Sequence, residues 1–190
     1  MLLVGGASGT GKSEVSHPLA RRLGVSVLEV DDLVTALKAV TVPEQLPVLH
    51  YWDTYPGAHQ LPVERIVEVT AAVVALVHSA LDAVIADHLD TGTRVVIDGD
   101  YLSPSLAVSR PGVRGVILHE PDVDQLVRNY ASREPDAGEQ RTRAEVSARL
   151  GAQLSTQAMT LGVPVVTARP WSTVLDRTAT ALGLPPSTPT

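Results

Sequence analysis

The sequence predicts an α/β domain built on a parallel β-sheet, and two observations lead to this prediction. Short runs of Val, Ile and Leu alternate along the chain with longer segments of helical pattern. The short runs are almost continuously apolar, which is typical of strands that helices cover on both faces. The chain has 190 residues, of which 44% are hydrophobic and none is Phe, so we expect one domain with an aliphatic core.

Glycine and proline mark the ends of the elements in the amino-terminal half of the chain. Gly5 interrupts the first strand, Gly24 closes the helix after it, and Pro62 suits the first turn of a long helix that ends near Gly92. The stretch 40–62 is irregular because it contains several prolines. The predicted elements are the strands Met1–Val4 and Val25–Val30 and the helices Ser13–Leu23, Leu33–Ala39 and Val63–Asp90.

The carboxyl-terminal half continues the same alternation. A loop with Pro135 and Gly138 separates two predicted helices, and Gly151 is a weak point inside the second of them. Residues 185–190 are polar and rich in proline, so we expect a disordered tail after a single domain of residues 1–184. The predicted elements are the strands Arg94–Ile97, Val113–Leu118 and Val163–Thr167 and the helices Asp122–Arg133, Arg141–Leu161 and Thr173–Leu182.

The composition excludes several classes of function. The formal charge is −6, from 15 basic and 21 acidic residues, so no basic surplus suits nucleic acid or an anionic membrane. Cysteine is absent, which excludes disulfides, thiol nucleophiles and cysteine-ligated metals and fits a cytoplasmic protein. The longest apolar stretch, 67–86, is interrupted by Glu68, His78 and Asp82, and the chain begins without a basic leader. We therefore expect neither a membrane span nor a signal peptide.

Residues 6–13 form a glycine-rich phosphate-binding loop. The segment fits the pattern G-x-x-x-x-G-K-[ST] at every fixed position and lies between a predicted strand and a predicted helix. Glycines allow several backbone N–H groups to point at one anion, and the following helix presents its amino terminus to the same phosphates. We expect the lysine to contact the β- and γ-phosphates of ATP and the serine hydroxyl to bind Mg²⁺. The predicted nucleotide-binding residues are Gly6, Ala7, Ser8, Gly9, Thr10, Gly11, Lys12 and Ser13.

Aspartates follow two of the predicted strands, at the sheet edge where ligands gather in parallel α/β proteins. Asp31 is a candidate base that accepts the proton of an attacking hydroxyl, and Asp32 either caps the next helix or contacts the acceptor. Asp98 ends an apolar strand, a position that commonly holds Mg²⁺ through water, and Asp100 is a candidate contact to the acceptor. The alternative is that the first pair only caps a helix and that Asp98 belongs to a turn.

Two further clusters suit phosphoryl transfer. Arg128 and Arg133 lie five residues apart on one predicted helix, and they predict a lid over residues 128–143 whose cations cover the transferring group. A solvated helix face is the alternative. Aromatic residues gathered in the irregular stretch 40–62 predict either a wall of the acceptor site or a hydrophobic anchor. These residues are Tyr51, Trp52 and Tyr55.

Together, these motifs resemble those of the P-loop small-molecule kinases, the group of nucleoside monophosphate, shikimate and gluconate kinases and chloramphenicol phosphotransferase. Asp98-Gly99 followed by Tyr-Leu-Ser-Pro looks most similar to 2-phosphoglycerate kinase-type proteins, which usually have Glu-Gly there. The resemblance implies a three-layer P-loop NTPase fold with five parallel strands in the order 2-3-1-4-5, flanking helices and a small lid. It also implies ATP with Mg²⁺ as the donor, and an adenine site bordered by residues 167–171, where Arg169 lies.

We therefore predict an ATP-dependent phosphotransferase that phosphorylates a hydroxyl of a small metabolite or natural product. No arginine lies between Arg22 and Arg65, which favours a neutral acceptor over a phosphorylated one unless Arg65, Arg110 or Arg114 reaches the site. The alternatives are a regulatory P-loop NTPase, a nucleoside monophosphate kinase and a 2-phosphoglycerate-type kinase. The sequence leaves the oligomeric state open, with a homodimer among the alternatives.

Overall fold

The computed structural model of the chain describes residues 1–57 and 60–185. Residues 58–59 of the irregular stretch and residues 186–190 of the expected tail lie outside the described residues. The centre of the fold is a five-stranded, all-parallel sheet in the order β2-β3-β1-β4-β5, as predicted. The strands are β1 (Leu2–Gly6), β2 (Ser26–Glu29), β3 (Val95–Gly99), β4 (Arg114–His119) and β5 (Val165–Thr167).

Helices cover both faces of this sheet. Three predicted helices have the observed bounds, and short 3-10 turns at 104–108, 135–137 and 171–173 were not predicted. The long sixth helix runs through Gly151 without a break, because the glycine lets the helix lie against His119 of β4. The helices are α1 (Ser13–Leu23), α2 (Val30–Ala39), α3 (Tyr51–Thr54), α4 (Val63–Asp90), α5 (Val123–Arg133), α6 (Arg141–Leu161) and α7 (Val174–Ala181).

The start of α2 differs from the prediction. β2 ends at Glu29 and the helix begins at Val30, so Asp31 and Asp32 lie in the first helical turn and not at a strand end. Val30 is fully buried, and its Cβ lies 2.5 Å from the position that a Cβ on Gly99 would take. Gly99 therefore leaves the space that Val30, the first residue of the helix, occupies. The predicted capping role of Asp32 is wrong, because the cap position belongs to Glu29.

The strands direct alternate side chains into the cores on the two faces of the sheet. Leu2 and Val4 of β1 pack with α1 and α7 on one face of the sheet, whereas Leu3 packs with α2 and α4 on the other. The core is aliphatic, as expected from the absence of Phe, and Tyr130 is the largest of its fully buried side chains. Both cores support the carboxyl ends of the strands, where the phosphate-binding loop begins.

Helix α4 is more apolar than the sequence analysis suggested. Among the described residues it alone is long and apolar enough to cross a membrane by length and composition, with a mean hydropathy of 2.0 over 18 residues. The interruptions at Glu68, His78 and Asp82 therefore leave a helix that is long and apolar enough by this measure. Only 28% of this window is buried inside the protein. The buried side chains, among them Val73, Val77 and Leu81, pack on the sheet, and other residues of α4 line a groove described below.

Candidate active site

A cavity of about 1560 Å³ opens at the carboxyl ends of the strands. The phosphate-binding loop supplies one wall, the first turn of α2 and the end of β3 supply another, and α5 closes the side opposite. Of the residues that the sequence singled out, those that line this cavity are Ser8, Gly9, Gly11, Lys12, Ser13, Asp31, Asp98, Asp100, Arg133 and Arg169. One sheet edge thus gathers side chains from distant parts of the sequence.

The phosphate-binding loop is braced from inside. Thr10 Oγ1 donates a hydrogen bond to the carbonyl oxygen of Ala7 at 2.9 Å, and Lys12 Nζ donates to the same oxygen at 3.0 Å. Gly11 has a φ of +82°, and a Cβ there would lie 2.2 Å from the ring of Trp171. Glycine is therefore required at this position on two grounds, namely backbone conformation and the close approach of an aromatic ring.

Ser13 and Asp98 form a pair at the base of the cavity. Ser13 Oγ donates to Asp98 Oδ2 at 2.9 Å, and the buried Ser16 Oγ donates to the same oxygen at 2.8 Å. The other carboxylate oxygen, Oδ1, is buried and has no hydrogen-bond partner. A hydroxyl beside a carboxylate with a free oxygen is a donor set that suits Mg²⁺, which prefers oxygen ligands and keeps several waters. The residues present therefore fit the metal that the resemblance implies.

Lys12 is bound to a carboxylate of the neighbouring loop. Its side chain is 7% exposed, and its ammonium pairs with Asp100 Oδ1 as well as with the carbonyl of Ala7. A buried ammonium requires such a counter-ion. An entering phosphate would offer the same ammonium a second anion.

Asp31 is accessible from the cavity, yet its surroundings change its acidity. The protein atoms around the carboxyl remove part of its hydration and raise its pKa, and the negative charge of Asp100 raises it further. Tyr101 lies beside both groups, and its pKa is raised to about 12, mainly by burial and then by the charges of Asp100 and Asp31. Asp31 therefore has the raised basicity that a general base needs, and the phenol of Tyr101 stays protonated.

Two arginines, one at the end of α5 and one at the start of α6, face the cavity above a buried tyrosine. Arg133 and Arg143 lie 5.3 and 4.3 Å from the ring centroid of Tyr130, and both pair with Glu134 at 2.9 Å. The tyrosine hydroxyl bonds to Ser147 of α6 at 2.7 Å, so the ring links α5 to α6. Both guanidinium groups line the cavity from this platform.

The structure does not bring Arg128 or Asp32 into the cavity. Residues five apart on a helix are rotated by about 140°, so Arg128 and Arg133 cannot share one face. Arg128 pairs instead with Gln125 at 2.9 Å and lies 3.8 Å from Asp122. Arg141, the other arginine at the lid edge, pairs with Asp124 at 2.8 Å. The side of α5 that faces the cavity carries Gln125, Asn129 and Ser132 as well as Arg133.

Sequence reasoning missed two supports of the site. Asn129 Nδ2 donates to the carbonyl of Gly9 at 2.8 Å and so connects α5 to the phosphate-binding loop. Glu120 is 2% exposed and accepts two hydrogen bonds from Arg169, at 2.8 and 2.9 Å, which hold that guanidinium at the rim of the cavity. The position of Glu120 directly after β4 was a signal for this pair, because acidic residues also follow other strands of the sheet.

The aromatic cluster divides between two environments. Trp52 lines a second cavity next to the first. Tyr51 contacts Trp52 edge-on at 5.3 Å between ring centroids and stacks on Tyr55 at 5.4 Å, and neither tyrosine lines either of these two cavities. Of the two alternatives from the sequence, a ligand wall therefore suits Trp52, and a hydrophobic anchor suits the two tyrosines.

The arginines that could have met a phosphorylated acceptor are engaged elsewhere. Arg65 pairs with Glu68 at 2.9 Å, and Arg110 pairs with Asp82 at 2.7 Å. Arg114 donates to the carbonyl of Leu182 at 2.8 Å. None of the three lines either of the two cavities.

The sheet order, the flanking helices and the glycine-rich loop after β1 together define the three-layer fold of the P-loop NTPases. Solved structures agree on the fold. The chain is 17% identical to TT1252 from Thermus thermophilus with a TM-score of 0.55, covering 95% of this chain and 93% of that one. It is 18% identical to a shikimate kinase from Bacteroides thetaiotaomicron with a TM-score of 0.51, covering 96% and 98%.

Curated proteins point within this class to one group. The chain is 30% identical over 110 residues to the 2-phosphoglycerate kinase of Pyrococcus horikoshii, covering 55% of this chain and 36% of the relative. It is 23% identical over 180 residues to the 2-phosphoglycerate kinase of Thermococcus kodakarensis, covering 87% and 60%. The resemblance to P-loop small-molecule kinases is thus confirmed. The chain spans about a third of the length of the first of these relatives, and no family model matches it.

Proposed function

We propose that the protein is an ATP-dependent phosphotransferase that moves the γ-phosphoryl group of ATP to a hydroxyl of a small acceptor. The observation that carries this proposal is the Ser13–Asp98 pair with its free, buried carboxylate oxygen, at the foot of a phosphate-binding loop. A donor set of this kind serves the metal of a nucleoside triphosphate. The kinase names of the curated relatives support the same reaction class.

The chain's own groups divide the work. The loop backbone and Lys12 bind the phosphates, with Lys12 exchanging Asp100 for a phosphate oxygen. Ser13 and Asp98 hold Mg²⁺, which neutralises the charge of the phosphates when it is bound. Arg169 borders the adenine of ATP, and its hydrogen bonds to Glu120 hold the guanidinium in that position. Binding and orientation therefore come from residues of four different strand ends.

The transfer step uses the raised basicity of Asp31. Its carboxylate accepts the proton of the acceptor hydroxyl as the hydroxyl oxygen forms a bond to the γ-phosphorus. The bond from that phosphorus to the bridging oxygen breaks, and ADP leaves with the electron pair. Arg133 covers the negative charge on the transferring group, a role that an electrostatic clamp fills best in a closed site. Asp100, which Lys12 has exchanged for a phosphate oxygen, contacts the acceptor.

A 2-phosphoglycerate-type kinase is the second candidate, because the curated relatives carry that name. It requires a cation for the acceptor's phosphate. The candidates from the sequence, Arg65, Arg110 and Arg114, are engaged elsewhere. We favour a neutral hydroxyl for this reason, and for the same reason disfavour a nucleoside monophosphate. A cytoplasmic location, with no nucleic acid or membrane as partner, completes the proposal and rests on the absence of cysteine and the net charge of −6.

Acceptor-dependent turnover tests the proposal. The protein is incubated with ATP and Mg²⁺ and a library of small hydroxyl compounds, and each mixture is screened by mass spectrometry for a phosphorylated product. A phosphotransferase forms ADP together with such a product, and forms little ADP without an acceptor. A regulatory NTPase instead forms ADP and inorganic phosphate at the same rate with every compound. Lys12→Ala serves as the inactive control, with an expected loss of at least about 10² in rate.

A further inference from the structure

A second cavity of about 920 Å³ adjoins the nucleotide cavity and lies between α4 and α6. This size is within the range of small-molecule sites. The α4 wall presents Ile66, Val74 and Ala75, and the α6 wall presents Val146 and Leu150. These side chains explain why a helix as apolar as α4 is only partly buried, because one stripe of it packs on the sheet and another lines this groove.

The two cavities meet at a short border. Ser8, Asp100, Tyr101 and Arg143 line both of them. A molecule that fills the groove can therefore present a group to the γ-phosphate end of the nucleotide cavity. Beside that border lies Asp31, whose charge contributes to the raised pKa of Tyr101. The groove thus leads to the base that we assign.

Charges are scarce in the groove. Of its lining residues within the described parts of the chain, the acidic and basic ones are Asp100 and Arg143, both at the border, and His78 of α4. Arg143 already bonds to Glu134 at 2.9 Å and to Gln140 at 2.6 Å. Away from the border, a phosphate or carboxylate on the ligand would be desolvated between apolar walls that offer no lysine or arginine, which is costly. The groove therefore discriminates against anions.

We propose that the groove between α4 and α6 is the acceptor site and that its acceptor is an uncharged alcohol with a bulky apolar body, whose hydroxyl meets Asp100 and Tyr101. This inference rests on the proposed phosphotransferase function and names its substrate class. The apolar body packs against Val74 and Leu150, and Trp52 covers one end. The acceptor class differs from the phosphorylated substrate that the names of the curated relatives contain.

Equilibrium binding tests the inference. Two neutral alcohols, cyclohexylmethanol and the larger 1-adamantanemethanol, are titrated by calorimetry into the protein with Mg²⁺ and a non-hydrolysable ATP analogue. We expect saturable binding of the larger alcohol at least about tenfold tighter than the smaller one, because each added buried carbon contributes. We also expect that 2-phosphoglycerate does not compete. Absence of saturable alcohol binding, or displacement by 2-phosphoglycerate, would overturn the inference.

Two matched variants locate the site. Ala75 and Ala72 are both exposed on α4, but only Ala75 lines the groove, so neither substitution overfills the core. Ala75→Trp should weaken binding of 1-adamantanemethanol at least about tenfold, whereas Ala72→Trp should change it less than about twofold, since only the former fills the cavity. Equal effects of the two variants would place the alcohol elsewhere.

Two further readouts separate this inference from other outcomes. Binding of the ATP analogue is measured first, and its absence contradicts the proposed function, whereas alcohol binding still tests the groove. Sedimentation of the same samples reports self-association. Dimerisation that Ala75→Trp abolishes and Ala72→Trp does not, without alcohol binding, would assign the groove to a second copy of the chain and overturn the acceptor assignment.

Discussion

The hydroxyl of Ser13 donates to Asp98 Oδ2 across 2.9 Å, while Oδ1 of the same carboxylate is buried without a partner. These residues are 85 positions apart in the chain and meet because β1 and β3 are adjacent parallel strands. A buried acceptor atom without a hydrogen bond is costly in a folded protein. In this chain the unmet oxygen lies where the metal of a bound nucleotide is expected.

Asp98→Asn should separate metal-dependent from metal-independent nucleotide binding. The amide keeps the hydrogen bond from Ser13 but removes the negative charge that attracts Mg²⁺. We expect ATP affinity with Mg²⁺ to fall at least about tenfold, while the affinity in EDTA stays the same or improves because charge repulsion is relieved. Calorimetry with and without Mg²⁺ measures both. An equal loss in the two conditions would mean that Asp98 only shapes the loop.

Arg133→Ala should lower turnover far more than it weakens ATP binding. Arg133 lines the cavity and is held over the buried Tyr130, so its charge acts on the transferring group. A loss of about 10² to 10³ in kcat is expected for one missing electrostatic donor. Arg128→Ala is the matched control on the same helix, and it should change kcat less than about threefold, because exposed ion pairs contribute little. Similar losses in the two variants would contradict the lid assignment.

The rate of transfer should rise with pH through the pKa of Asp31. A base must be deprotonated, and burial together with the charge of Asp100 raises this pKa above the ordinary 3.8. Asp100→Asn removes a negative charge that favours the protonated form, so the acid limb of kcat/KM should move to lower pH. Glu29→Gln should move the acid limb less, because the charge of Glu29 acts more weakly on Asp31 than that of Asp100 does. If neither variant moves the acid limb, the limb reports the titration of a group other than Asp31.

Arg169→Ala should destabilise the fold as well as the nucleotide site. It leaves the carboxylate of Glu120, which is 2% exposed, without its two strongest hydrogen bonds. We expect the free energy of unfolding to fall by about 1–3 kcal/mol, as for other buried groups left unpaired. Urea unfolding at neutral pH without nucleotide measures it. The double variant Arg169→Ala/Glu120→Gln should recover part of the loss, and failure to recover it would remove the buried charge as the cause.

The sheet and the phosphate-binding loop were predictable because they depend on local signals. The continuous apolar runs, the glycines and the motif of residues 6–13 each restrict the backbone without reference to distant residues. The start of α2 was not predictable, because Val30 turns into the helix against Gly99 of another strand. The sequence alone could have shown that Arg128 and Arg133 point in different directions, because residues five apart do not lie on the same face of an α-helix.

The supports of the site depend on tertiary contacts that a pattern does not contain. Asn129 donates a hydrogen bond to Gly9, which is 120 positions away in the chain. The guanidinium groups of Arg133 and Arg143 both lie over the ring of Tyr130 only because α5 and α6 pack together. The groove between α4 and α6 is likewise a property of two helices. The sequence does show that α4 is apolar over a surface wider than one core stripe requires, and this excess was the available signal.

The most direct test of the central claim is the rate of phosphoryl transfer by two variants, Asp31→Asn and Asp32→Asn. The rate is measured with saturating ATP and Mg²⁺ and an acceptor found in the screen. Both residues lie in the first turn of α2, so the two variants should have the same effect on the helix. Only Asp31 lines the cavity, so only Asp31→Asn should affect the transfer step. The account predicts that Asp31→Asn binds ATP normally and loses a factor of about 10² to 10⁴ in transfer rate, as expected for a missing general base, while Asp32→Asn stays near the wild-type rate. Small and equal losses in both variants, or a large loss in Asp32→Asn alone, would contradict it.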